Sequence, residues 1–131
     1  MADLAAVADA LLTRCSSLAV GSPALTIAWP DVAFTPPASG KYLEVRVFFN
    51  RPRFEGLASG VLDQGLLQVT VVWPKGAGII QPASAAEAVK AHFPKGLTLS
   101  GGVKVVAAPY AASPLIDQSE TRIPVTITWT A

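Results

Sequence analysis

The chain has 131 residues, enough for one domain and short of two comfortable ones. Hydrophobic residues make up 51% and charged residues only 15%, with a net charge of +1 and the ten basic residues scattered, so neither a nucleic-acid footprint nor a basic membrane-binding stretch is present. A single cysteine, Cys15, excludes an intrachain disulfide and suits a reducing compartment.

A domain of this size buries roughly two-thirds of its unfolded surface and needs neither disulfides nor metal to fold. Its low charge predicts apolar surface covered by something other than water, self-association being the simplest candidate. Met1-Ala2-Asp3-Leu4 carries an acid where a signal peptide carries lysine or arginine. No apolar run is long enough to span a bilayer. The expectation is a soluble protein that is not exported.

Leu4, Val7, Ala8, Leu11, Leu12, Cys15 and Leu18 recur every three or four residues, which predicts a helix over about 3–18. Asp3 is its expected N-cap, and Gly21 and Pro23 its stop. Ala24 to Trp29 alternates as a short strand ended by Pro30. A loop of prolines and small residues follows, and then Tyr42 to Phe49 alternates cleanly. Leu43, Val45, Val47 and Phe49 face one way; Tyr42, Glu44, Arg46 and Phe48 face the other. Asn50 to Gln64 has no regular period and reads as a long hairpin excursion, of a length that usually has a job.

A third strand, Leu66 to Trp73, leads through Lys75-Gly76-Ala77-Gly78 into a second helix from about Ala85 to Phe93. Ser84-Ala85-Ala86-Glu87 matches a capping box at its start. Ala85, Ala88, Val89, His92 and Phe93 form its stripe, and the alanines predict close approach to a sheet. Val103 to Ala108 and Arg122 to Trp129 are the last strands, with Gly101-Gly102 as the turn before the first. Pro124 cannot donate to a ladder, which places its strand at an edge or has it enter the sheet only beyond Pro124. Pro109 to Thr121 is a second weakly patterned excursion. The pattern predicts one α+β domain over residues 1–131: a single, mainly antiparallel sheet of about five strands with two helices on one face.

No catalytic, cofactor-binding or metal-binding set emerges, and the expectation is a protein that is not an enzyme and has no cofactor. His92 lies on an apolar stripe near a helix end, where packing or the dipole accounts for it. Gly56-Leu57-Ala58-Ser59-Gly60 has its first glycine one place too early for a nucleophile elbow. Cys15 reads as an inert core thiol. The Gly76–Gly78 loop lacks the Gly-Lys-Ser/Thr ending of a phosphate loop and reads as a plain turn.

The candidates that remain are for interfaces. Glu44 and Arg46 share one strand face, a solvated surface or an assembly surface. Arg51, Arg53 and Phe54, with Glu55 beside them, have the composition of an interface anchor, and an exposed loop reads equally well. Tyr110, Asp117 and Arg122 add to the set from the second excursion and the last strand.

Several stretches together resemble one family. They are Tyr42-Leu43-Glu44-Val45, the Gly60-to-Trp73 run with Gly65-Leu66-Leu67-Gln68-Val69-Thr70-Val71, Gly76-Ala77-Gly78, Ala91-His92-Phe93-Pro94-Lys95-Gly96, and Ile123-Pro124-Val125-Thr126-Ile127-Thr128-Trp129. The N-terminal helix followed by Ile27-Ala28-Trp29-Pro30 agrees with them. Their order and spacing are similar to the tail-terminator (tail-completion) proteins of long-tailed bacteriophages, across nearly the whole chain. The resemblance implies a structural protein forming a homohexameric ring on the head-proximal end of the tail tube. Such a ring ends tube polymerisation and joins the tail to the head connector or stopper. Its implied partners are copies of itself, the tube protein and the connector. DNA passes through without sequence-specific binding, and no membrane is involved. The implied location is the virion neck, after synthesis in the host cytoplasm. The alternatives are a neighbouring neck or tail protein, such as a head–tail stopper or a tube subunit, and a small-ligand binding domain with its pocket between helices and sheet.

Overall fold

A computed structural model describes residues 3–20, 24–56 and 60–131, and for 53–56 and 60–61 the backbone alone. Helix α1 spans Leu4–Ser16, and the Asp3 carboxylate accepts from the Ala5 amide at 3.0 Å. That bond satisfies one of the first-turn amides that have no partner within the helix. The expected stop at Gly21 and Pro23 lies outside the described residues.

Strands β1 (Thr26–Ala28), β2 (Tyr42–Gly56) and β3 (Gly60–Pro74) are followed by helix α2 (Ile80–His92) and a 3-10 turn at Ser100–Gly102. Strands β4 (Lys104–Val105), β5 (Tyr110–Ala111), β6 (Leu115–Ile116) and β7 (Glu120–Thr130) complete the chain. The sheet runs β1-β2-β3-β7-β4, with β5 and β6 also on β7, making seven strands among the described residues. It is mixed, because β1 pairs parallel to β2 while the other pairings are antiparallel. The α+β class stands. The mainly antiparallel sheet of about five strands does not, since a two-residue strand carries too little alternation to be read from sequence.

Register sets the core. Leu43, Val71 and Ile123 form one cross-strand row, Val45, Val69 and Val125 the next, and Val47, Leu67 and Ile127 a third. These inward residues join Val7, Leu11 and Cys15 of α1 and Ala85, Ala86 and Val89 of α2 in one core, so both helices cover the same face. Fully burying each large apolar side chain contributes about 1.5–3 kcal/mol. A fourth row, Phe49, Gly65 and Trp129, works differently. The fully buried Trp129 ring lies over Gly65 and meets Phe49 edge-on, with centroids 5.9 Å apart. A side chain at residue 65 would occupy the space the indole fills.

Helix α2 begins before the expected capping box. Ile79 is its N-cap and makes no side-chain cap bond, while Ser84 lies inside the helix and Glu87 pairs with Lys90 at 3.1 Å. Pro82 falls in the first turn, where its missing N–H has no intrahelical use and its fixed φ suits the helix. The stripe also shifts: Pro82, Ala85, Ala86 and Val89 are buried, whereas Ala88 is exposed.

The last strand is interior, against expectation. It pairs with β3 along its whole length and with β4, β5 and β6 on the other side. Pro124 is tolerated because its carbonyl accepts from the Ala112 amide at 2.9 Å. The N and C=O of a strand residue point the same way, so its missing donor faces β5 and leaves the β3 ladder whole.

Candidate assembly surfaces

The hairpin made by β2 and β3 sets the geometry. Each strand runs 15 residues, so residues 50–56 and 60–64 of the stretch Asn50 to Gln64, expected as an irregular excursion, form a paired arm continuing the sheet. Asn50 faces Gln64 while Arg53 faces Leu62, so a bulge at Arg51-Pro52 carries one residue more than the strand opposite. That extra residue breaks the period-two signal. Arg51 is exposed on the arm, and its carbonyl accepts from the Gln64 side-chain Nε2 at 3.0 Å. Arg53, Phe54 and Glu55 follow on the same strand, and their side chains lie outside the described residues, as does Ser59 of the rejected nucleophile elbow.

On the sheet face away from the helices, three candidates come together. Glu44 accepts from Arg46 Nε at 3.2 Å and from Arg122 Nη1 at 3.4 Å, and Arg122 Nη2 lies 3.3 Å from Glu120. The four side chains form a chain of alternating charge reaching from β2 across β3 to β7. Val72, fully buried between Tyr42 and Arg122 in the register, lies beneath it. Burial opposes the charge of Arg122, but Glu44 and Glu120 outweigh it and hold the guanidinium above its ordinary pKa. Burial and then the Glu120 carboxylate push the Tyr42 phenol up, with Glu44 adding and Arg122 opposing. Glu120 is new to the set, and Tyr42, which alternation places on the Glu44 face, was not among the interface candidates. The signal was there: Glu-x-Arg occurs at Glu44 to Arg46 and again at Glu120 to Arg122, and residues two apart share a strand face.

The remaining candidates lie at the far edge. Tyr110, on β5, and Leu115 and Ile116, on β6, are each more than half exposed. The second excursion thus contains two short edge strands where an unpatterned loop was expected. Asp117 closes the turn after β6, its Oδ1 accepting from the Ser119 amide at 2.8 Å, the Glu120 amide at 2.7 Å and the Ser119 hydroxyl at 3.2 Å. Those backbone amides, Ser119 first, hold its carboxyl below the usual range. The structure therefore divides the set: Glu44, Arg46 and Arg122 on one face, Arg51 on the arm, Tyr110 and Asp117 at the opposite edge.

Reactive groups elsewhere serve the fold. His92 Nε2 lies 2.7 Å from the Ser17 hydroxyl and 2.9 Å from the Arg14 carbonyl. Arg14 returns two bonds to the His92 carbonyl, at 3.1 and 2.8 Å, so the C-terminal ends of the helices are pinned to each other. Cys15 is fully buried, and burial pushes its thiol up to about 12. Gly76 and Gly78 have φ of 86° and 84°, as a tight turn requires. Among the described residues no group of three His, Cys, Asp or Glu could hold a metal, and no helix is long and apolar enough to cross a membrane.

An α+β fold with a long hairpin arm and an exposed sheet edge at β5 and β6 is what the geometry defines. The chain belongs to the phage tail terminator protein family, whose model matches residues 6–129. Three solved chains also match; one has a TM-score of 0.81 and 27% identity, covering 98% of this chain and 94% of that one. No curated protein matches. Membership places the chain among structural components of the phage tail, and so of the virion.

Proposed function

We propose that this chain is the subunit of a homohexameric ring that caps the head-proximal end of the tail tube. The ring ends tube polymerisation and joins the tail to the head connector, and DNA passes through it without sequence-specific contact. A chain that works this way needs no catalytic site and is not an enzyme. It is made in the host cytoplasm and resides in the neck of the virion.

The observation that carries this reading is a terminator-family chain whose sheet, among the described residues, is open at two unlike edges, β2 beyond Glu44 and the short strands β5 and β6. A closed ring is built from head-to-tail contacts, so each subunit needs two different complementary patches. The arm, with Arg51, Arg53, Phe54 and Glu55, supplies contacts to the neighbour or the tube.

Deleting Arg53–Ser59 tests the arm. The expected product folds, fails to join tails to heads in a phage lacking its own copy of this protein, and leaves tubes of irregular length. Normal joining by the shortened chain removes the arm from the account.

A further inference from the structure

Beside β2 the sheet has an empty lane. Strand β1 pairs only Thr26–Ala28 with Tyr42–Glu44. Pro30 then interrupts it, and the turn at Asp31, with φ of 54°, carries the chain away. From Val45 onward the outer edge of β2 has no strand partner among the described residues. A cleft of about 430 Å³ lies there, one wall made by residues 29–34 and the other by Glu44 to Phe48 in unbroken succession. Side chains of a strand alternate between faces, so a cleft touching five consecutive residues follows the backbone edge itself. An exposed edge with bare amides and carbonyls is a template for another strand.

The opposite edge has what such a lane accepts. Strands β5 and β6 each cover only two residues of β7, and Tyr110, Leu115 and Ile116 stand 58%, 59% and 62% exposed. The two edges are also complementary in charge. Residues 44–53 carry three arginines and one acid, Glu44, which pairs with Arg46, and residues 109–119 carry one acid, Asp117, and no base. The turn that holds Asp117 fixes its carboxylate next to β6.

We infer that β6 of one copy adds as a strand to the β2 edge of the next copy, along Val45 to Phe49, with Asp117 set against Arg46. Main-chain bonds supply the attraction, Leu115 and Ile116 cover Phe48 and Val32, and the charges fix which edge meets which. Closure of these contacts into a six-membered ring rests on the function proposed above; the edge-to-edge contact does not need a particular number.

Cross-linking tests it on the full chain. Phe48→Cys and Leu115→Cys both replace exposed residues, and Cys15 is buried and unreactive. The two single variants, mixed with purified tail tubes and treated with a short bismaleimide, should give a dimer band that neither gives alone. The double variant should give a ladder of multimers. Adding Asp117→Arg should reduce the dimer band at least tenfold. If the mixture stays uncross-linked while native mass spectrometry finds wild-type rings, the inference fails and the ring reading survives. Linkage of Phe48→Cys to the tube protein, or a link within one chain in the double variant, also overturns it. A wild-type protein that stays single both alone and on tubes removes both.

Discussion

Among the described glycines, Gly65 is the one where an added methyl group should do most damage, and the structure says by how much. A Cβ built on Gly65 meets the Phe48 carbonyl oxygen, and it comes within 2.5 Å of Trp129 Cζ2 and 2.9 Å of Cε2. Real Cβ atoms essentially never come so close. Neither neighbour is a yielding chain end: one is main chain of a paired strand, the other an indole with no exposed surface. Overpacking of this kind costs about 1–3 kcal/mol, and main-chain involvement places this case near the top of that range. For a chain this long, 1 kcal/mol corresponds to roughly 4 °C, so the melting temperature should fall by about 10 °C. Circular dichroism reads it, with tryptophan fluorescence reporting loss of the packed Trp129. Gly76→Ala is the comparison, because φ is 86° there and nothing lies within 4 Å. Only backbone strain of about 1–2 kcal/mol then applies. A Gly65→Ala protein that melts within 2 °C of wild type, or above Gly76→Ala, refutes the packing of Trp129 over the base of the arm.

Three further outcomes follow from the same geometry. Arg14→Ala removes two charge-assisted bonds to the His92 carbonyl and should lower stability by about 1.5–3 kcal/mol in urea unfolding, with Arg14→Lys restoring only part. Cys15 should resist a thiol reagent at pH 8 in the native protein and react at once on unfolding. Because its folded pKa is raised from 9.0 to about 12, the native thiol keeps its proton after the unfolded one has lost it. Stability is then full below pH 9 and falls as pH rises toward 12, by about 1.4 kcal/mol per unit from this group, which denaturant titrations at several alkaline pH values check. Glu44→Gln removes a carboxylate that holds the Tyr42 phenol up, so ultraviolet titration should place that phenol lower than in wild type, while stability changes by less than about 1 kcal/mol.

Much of the fold could be read in the residues wherever an element was long and regular. Asp3 and the stripe through Val7, Leu11 and Cys15 announced α1, and the alternation of Leu43, Val45 and Val47 announced the inward face of β2. The reading stopped where a local rule was overruled by partners remote in sequence. Arg51-Pro52 looks like a loop because a bulge interrupts the alternation, yet strand pairing continues past it to Gly56 and Gly60. Ser84 and Glu87 make a persuasive capping box, but Pro82 lets the helix begin a turn earlier. Tyr110, Leu115 and Ile116 have too few neighbours to show a period, and only pairing with β7 makes them strands. Among the surface candidates, the grouping of Glu44 with Arg122 depends on β3 lying between β2 and β7, and no local pattern reveals strand order.

The most direct measurement is an image reconstruction of intact virions at a resolution that distinguishes chains. The account predicts six copies of this chain in one ring, at the single level between the last tube ring and the head connector. Copies stacked along the tube, or a neck whose ring at that level is another protein, would contradict it.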